Sequence, residues 1–286
     1  MAVRICTAFF RGDSMDNEWN RFIPEVIKEL KSEYTEINPM IRDDIFGILE
    51  KYCNVIYYPL ENEENRGFHT QRFIGNKRED FVYINTAKPL AEQVFTAAHE
   101  LGHVWGVADK ITRKIDYDVR LKSEEEEQLI NRFAAELLMP EDSFRKMFST
   151  NLELIHGVGN KFRFEDFIKV LVLQMNDFMV PYESVRRRMI ETHIISEEIG
   201  EYLNTKNDLI IALIKEYSKD LNTVLDNVTR KKTIPGLRGL LEKIERESLL
   251  DEYTICKIKC DFDIGVIENS DSMIDIKIED NVDGEE

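Results

Sequence analysis

The sequence predicts an α+β fold: a mostly helical domain with a small antiparallel sheet, followed by a C-terminal α/β extension. Three observations favour this fold. Apolar residues recur at helical spacing over most of the chain, short β-branched and aromatic runs cluster before residue 86, and strict alternation returns near the C-terminus. With 286 residues, 43% hydrophobic and 33% charged, the chain is long enough to bury a substantial core and has a globular composition.

The first half of the chain alternates between helical and strand-like segments. Helical periodicity covers residues 16–52, and strand-like runs follow at 55–58, 67–74 and 81–85, the last two joined by a turn at 75–77. Pro89 begins a strong helix. After a polar segment at 107–122, which we interpret as a loop, Ser123 and Glu126 form a capping box that begins a glutamate-rich helix.

The second half is predicted to be helical as far as residue 250, and then to change character. Alternating residues predict β-strands at 253–258 and 273–278, paired as a hairpin before an acidic tail. We therefore divide the chain into an N-terminal helical segment, a central domain and a C-terminal extension, at residues 1–44, 45–195 and 196–286.

The charge and the apolar pattern exclude several classes of protein. A formal net charge of −17 argues against direct nucleic-acid binding, and the short basic clusters at 186–188 and 230–232 are interpreted as solvated helix faces. No apolar run is long enough to span a membrane. The N-terminus lacks the features of a secretion signal, and four widely spaced cysteines fit a reducing compartment, so we expect a cytoplasmic protein.

His99, Glu100 and His103 form the most informative pattern, His-Glu-Leu-Gly-His. On a helix, residues four apart lie on one face, so both imidazoles can bind one metal ion. Glu100 lies about 100° around the helix from His99, where it can hold a metal-bound water without being a ligand. This arrangement is typical of zinc peptidases, in which the metal lowers the pKa of its water and the glutamate takes the proton.

A third metal ligand is expected from the glutamate-rich helix. Helical phase places Glu127 on the flank of the apolar stripe of that helix, and Gly102 and Ala134 allow the two helices to approach closely. We therefore favour Glu127 as the third ligand. Glu126 is the second candidate, because it lies nearer the centre of the stripe but is assigned to the capping box.

Further motifs carry a family resemblance. The segment from Glu127 to Pro140 reads EQLINRFAAELLMP, and the segments at 81–85, 95–99, 178–181 and 185–189 have related patterns. Together with HELGH, they resemble the ImmA/IrrE family of bacterial and phage metallopeptidases over roughly residues 45 to 192. The last part of the chain, about 90 residues, has no counterpart in this resemblance.

The resemblance implies a zincin-like endopeptidase domain with zinc bound by His99, His103 and Glu127 and with Glu100 as the general base. It also implies a protein substrate, typically a transcriptional repressor, in a stress, defence or mobile-element setting. Asn131 is a candidate for orienting a metal ligand. Tyr83 and His69, from the strands before the helix, are weaker candidates for stabilising the oxyanion.

Two alternatives to catalysis follow from the same residues. The domain could bind zinc and act by association, as a regulatory or antitoxin-like protein, or the two helices could be purely structural and bind no metal. Two histidines and one carboxylate also suit divalent metals other than zinc.

Overall fold

The computed structural model describes residues 4–5, 18–32, 40–61, 64–115, 121–156, 163–221 and 223–264. Contacts divide the chain into two compact units, Met1–Pro235 and Gly236–Glu286. The mostly helical α+β fold is confirmed. Residues 196–235, assigned above to the extension, fall within the first unit, and the functional limits 45–195 stay a prediction.

The first unit contains ten α-helices and four strands within the described residues, together with a short 3-10 helix at Glu18–Phe22. The strands are β1 (Arg4–Ile5), β2 (Asn54–Tyr58), β3 (Gly67–Ile74) and β4 (Lys77–Asn85). The helices are α1 (Ile23–Ser32), α2 (Asp44–Glu50), α3 (Leu90–Val104), α4 (Val107–Ile115), α5 (Ser123–Leu138), α6 (Glu141–His156), α7 (Phe164–Phe178), α8 (Tyr182–Glu191), α9 (Glu197–Thr205) and α10 (Asn207–Asp220).

The four strands form one mixed sheet in the order β1-β3-β4-β2. A two-residue turn joins β3 and β4, and Gly75 takes a φ of 62° there, which glycine adopts without steric cost. The prediction of a wholly antiparallel sheet is wrong in one detail, because β2 pairs parallel to β4. Strand β2 lies beside β4, although its neighbour along the chain is β3. The connection from β2 to β4 runs through β3, which allows β2 and β4 to be parallel.

Helix α3 lies in the core between the sheet and α5. Its apolar residues between Ala91 and Leu101 are buried, and Gly102 faces α5. A β-carbon at Gly102 would lie 3.0 Å from side-chain atoms of both Ile130 and Phe133, so the absence of a side chain sets the separation of these two helices. This close approach brings the polar flank of α3 next to that of α5.

Residues 225–233, here called the strap, cross the beginning of α3. Pro89 precedes this helix and provides no side-chain cap, so the first backbone N–H groups need other acceptors. The N–H of Leu90 donates to the carbonyl of Asn227 at 2.8 Å, and the N–H of Ala91 donates to the carbonyl of Leu225 at 3.1 Å. The strap therefore caps the helix that carries the histidines.

The strap also extends the sheet beyond β2. Tyr57 and Thr233 exchange two backbone hydrogen bonds of 2.9 Å, and the Thr86 hydroxyl donates to the carbonyl of Lys231. The basic cluster 230–232 thus lies outside any helix, with Arg230 at a φ of 49°, and not on a helix face as predicted. Here Lys231 lies over the Tyr57 ring, 3.9 Å from its centroid.

Two further expectations are wrong. The expected loop at 107–122 begins with α4, whose apolar residues Val107 and Ile111 are fully buried. Arg186 and Arg188 are not solvated either, because both are buried in α8 and ion-paired. Burial of the aliphatic stems and pairing of the guanidinium groups outweigh the preference of arginine for water. No described helix is long and apolar enough to cross a membrane.

The second unit, as far as residue 264, contains two helices and no strand. These are α11 (Leu237–Arg246) and α12 (Glu252–Asp261). The predicted strand at 253–258 is therefore wrong: the Asp251 carboxylate accepts hydrogen bonds from the backbone N–H and the hydroxyl of Thr254, which caps a helix in place of the expected strand. The predicted strand at 273–278 and the acidic tail lie outside the described residues.

Candidate metal centre

Helix α3 presents His99 and His103 on one face, as their spacing predicts. Their ring centroids are 4.9 Å apart, and the two Nε2 atoms are separated by 3.2 Å. The side chain of His99 is 1% exposed and that of His103 is 8% exposed, so both imidazoles are largely removed from water.

Glu127 reaches both histidines from α5. Its Oε2 lies 3.2 Å from His99 Nε2, and its Oε1 lies 3.5 Å from His103 Nε2. One donor atom from each of the three residues lies within 4.8 Å of the other two. Two imidazoles and one carboxylate are a donor set that divalent transition metals accept, and their convergence indicates a metal-binding site.

Glu126 is less well placed than Glu127. Its Oε1 lies 3.8 Å from His103 Nδ1, on the other side of that ring, and it does not belong to the three-residue group. The predicted capping role also falls on a different residue, because the Glu125 carboxylate accepts the N–H of Lys122 at 2.7 Å. The helix is capped one residue earlier than Ser123 and Glu126 suggest.

Asn131 lies one turn after Glu127 and contacts His99. Its Oδ1 is 2.9 Å from His99 Nδ1, and because an amide oxygen only accepts, the imidazole donates through Nδ1–H. This hydrogen bond leaves the lone pair of Nε2, which lies beside Glu127, for another partner. Asn131 is 4% exposed, so the interaction takes place in the core.

Glu100 is buried next to this group and lacks a full set of partners. It is 1% exposed, and its Oε1 has no hydrogen-bond partner among the described residues. Burial raises the pKa of Glu100 to about 7; His99 opposes this shift and the charge of Glu127 adds to it. A β-carbon at Gly67 would lie 3.7 Å from this oxygen, so β3 passes directly over the carboxylate.

The ionisation states of His103 and Glu127 favour metal binding. Burial lowers the pKa of His103, although its hydrogen bond to Glu127 opposes the shift, and the neutral ring is the form that binds metals. Burial alone would raise the pKa of Glu127, but the adjacent imidazoles of His103 and His99 outweigh it and hold the pKa well below its usual range.

The two oxyanion candidates differ in their surroundings. The Tyr83 hydroxyl donates to the carbonyl of Tyr58 at 2.8 Å, so its proton already has an acceptor. The ring of His69 lies almost parallel to that of His103, with centroids 6.3 Å apart and an interplanar angle of 11°. His69 is therefore next to the metal-binding group, although it is not one of its three members.

Asp80 and the strap are features around the site that the sequence analysis missed. Asp80 Oδ1 lies 2.7 Å from His69 Nε2. The sequence contained a signal for Asp80. A hairpin turning at 75–77 places residue 80 opposite residue 71, which follows His69 on the same face of β3, so Asp80 is a diagonal neighbour of His69. The strap gave no such signal, since its contacts with α3 join residues far apart in sequence.

A comparison with protein families matches residues 50–190 to the family described as Peptidase_M78, IrrE N-terminal-like domain. No curated protein matches the chain. The matched region begins at the end of α2 and ends within α8, and it contains both histidines, Glu100 and Glu127. Residues 50–190, just under half of the chain, therefore match the IrrE N-terminal-like domain, and this match together with the convergent donor set supports a metallopeptidase of the IrrE/ImmA kind.

Proposed function

We propose that this protein is a zinc-dependent endopeptidase of the HExxH…E type that cleaves a specific protein partner. The observation that carries the proposal is the convergence of His99, His103 and Glu127 within 4.8 Å, beside the buried carboxylate of Glu100. When bound by these three residues, zinc would polarise the scissile carbonyl and lower the pKa of a water molecule.

Glu100 would act as the general base and then as the general acid. It takes a proton from water as the water oxygen bonds to the carbonyl carbon, and it gives that proton to the nitrogen as the C–N bond breaks. A carboxylate whose pKa is raised to about 7 by burial can both accept and return a proton near neutral pH. Asn131 would hold the His99 ring in the orientation that presents Nε2.

The family resemblance supports a transcriptional repressor or another regulator as the substrate, in a stress, defence or mobile-element setting in a bacterial cytoplasm. This identity is best tested by co-expressing the protein with regulators encoded beside its gene. Cleavage by the wild type, with retention of the intact partner by Glu100→Gln, would identify the substrate. We expect Glu100→Gln to retain zinc and to lose about 10²- to 10⁴-fold in cleavage rate.

Metal analysis tests the ligand set separately from catalysis. Protein purified without added metal is expected to hold one zinc per chain, and Glu127→Ala to hold none. Glu126→Ala is the matched control, since it removes a neighbouring carboxylate 3.8 Å from His103 and should retain zinc. Absence of metal from the wild type, even after zinc is supplied, would contradict the peptidase. Bound zinc in a protein that binds its partner without cleaving it would instead favour regulation by association.

A further inference from the structure

His69 projects from β3 toward the active-site helix. Side chains along a strand alternate between the two faces of the sheet, so Gly67, His69 and Gln71 share one face. At Gly67 this face meets α3 directly: a β-carbon there would lie 2.6 Å from the side chain of Thr96. One step along the strand, the His69 ring lies parallel to the His103 ring. His69 thus borders the space beside the metal ligands.

Asp80 holds the His69 ring in this place. The two side chains come from paired strands, and Asp80 Oδ1 is 2.7 Å from His69 Nε2. The same oxygen accepts a hydrogen bond from the Gln71 side chain at 2.8 Å. Because a carboxylate only accepts, Nε2 of His69 carries the proton, and the ring is fixed by a charged acceptor.

The second nitrogen of His69 remains available. Among the described residues, Asp80 is the only polar partner of this side chain, so Nδ1 makes no hydrogen bond. The His69 side chain is 16% exposed, compared with 1% for His99. A histidine that donates through Nε2 to a carboxylate can carry a second proton on Nδ1, and that N–H can donate to a substrate oxygen.

We propose that the His69–Asp80 pair stabilises the carbonyl oxygen of the scissile bond as that oxygen gains negative charge, with His69 contacting the oxygen and Asp80 positioning the ring. This role rests on the proposed peptidase function and adds the donor that zinc and Glu100 do not supply. Tyr83 is the poorer source of such a donor, because its hydroxyl is already bound to the carbonyl of Tyr58.

Anion binding to the cobalt-loaded protein tests the pair without a known substrate. Visible absorption of Co²⁺ reports binding of methylphosphonate, a tetrahedral oxyanion, and of azide, an anion without tetrahedral oxygens. We expect His69→Ala to raise the Kd for methylphosphonate about 10- to 100-fold, as for loss of a hydrogen bond to a charged group. The Kd for azide and the metal content should be unchanged.

Three further variants separate contact from structure. Asp80→Asn should weaken methylphosphonate binding less than His69→Ala does, because the ring remains but loses its charged acceptor. His69→Asn keeps an N–H donor near the position of Nδ1 and should recover part of the affinity. Thr70→Ala, on the opposite face of β3, is the matched control and should bind both anions like the wild type.

The outcomes distinguish the two proposals. Equal methylphosphonate affinity in the wild type and His69→Ala, or no methylphosphonate binding by a wild type that binds azide, would overturn the role of His69 and leave the metal centre intact. Failure of the wild type to bind any metal would overturn the proposed function, and the role of His69 with it.

Discussion

Helix α5 contributes to two charged clusters that differ in how their groups are satisfied. At its beginning, Glu127 joins the metal-binding group. Two turns later, Arg132 and Glu136 meet α8 in what we call the arginine cluster, completed by Arg188 and Glu191. Both clusters remove ionisable groups from water, which is costly unless the charges are compensated.

The arginine cluster compensates its own charges. Arg188 is 1% exposed; it donates to the carbonyl of Met139 and pairs with Glu136 and Glu191, and Arg132 also pairs with Glu191. In the metal-binding group, by contrast, Glu127 is shared by two histidines, and one oxygen of the neighbouring Glu100 has no hydrogen-bond partner in the described part of the chain. A cluster in which each charged group has a partner holds helices together. A buried carboxylate oxygen without a hydrogen-bond partner is instead typical of a site that binds another group.

The largest expected effect on stability comes from disrupting the arginine cluster. Arg188→Met removes the ion-pair partner of Glu136 and one of the two arginines that pair with Glu191, and it should lower the free energy of unfolding by about 3–5 kcal/mol. Denaturant unfolding measures this loss. The matched control is Arg187→Met, whose side chain is 23% exposed, and it should cost less than about 1 kcal/mol. Metal content per folded chain should not change, and an Arg188→Met protein as stable as the wild type would remove the contrast between the clusters.

A second, smaller effect concerns Glu100 and the pH dependence of the free energy of unfolding. Because burial raises its pKa from 4.5 to about 7, the metal-free folded protein holds a proton that the unfolded chain has released. Stability due to this group is therefore present below pH 4.5 and is lost as the pH rises through 7. Relative to Glu100→Gln, the metal-free wild type should lose up to about 3 kcal/mol between pH 5 and 8.

Urea unfolding of chelator-treated protein across this pH range measures the difference. The other titrating groups are common to both proteins, so the comparison isolates Glu100. Parallel stability curves for the wild type and Glu100→Gln would mean that the carboxylate is not held in an unfavourable environment.

The smallest effect concerns Asn131, whose proposed role is to orient His99 without binding the metal itself. Asn131→Ala should weaken metal binding by about 10- to 100-fold, because His99 loses the acceptor that fixes its ring. Competition with a chromophoric chelator measures the affinity. Asn151→Ala is the control: Asn151 is also a buried asparagine, bound to Gln174 and Asp177, and its loss should reduce stability but not metal affinity. Equal metal affinities in the two variants would reject the orienting role.

The parts of the site that local rules describe were predictable. The spacing of His99, Glu100 and His103 depends only on helical geometry, and the phase of Glu127 on the same rule applied to a second helix. The hairpin followed from its glycine turn. These features depend on residues that are close in sequence, or on helix faces that can be identified from the spacing of apolar residues.

Two kinds of feature were not predictable: those in which two local patterns compete, and those that depend on contacts between residues far apart in sequence. Around Asp251, alternation predicted a strand, but the local hydrogen bonds of Asp251 to Thr254 cap a helix there. The arginines at 186 and 188 looked solvated because their partners lie on other segments of the chain or depend on tertiary packing. The parallel pairing of β2 depends on the route of the chain around the hairpin, which no short pattern encodes.

The strap sets the order in which the chain can complete its site during synthesis. The Thr229 hydroxyl meets the Gln93 side chain across 136 residues of sequence, and the first N–H groups of α3 find their acceptors in the same distant segment. A growing chain that already contains His99, His103 and Glu127 still has no acceptor for the N–H of Leu90 at the beginning of α3 until residue 227 leaves the ribosome. The capping of α3 is therefore completed late in translation, after the region that carries the metal-binding group has been made.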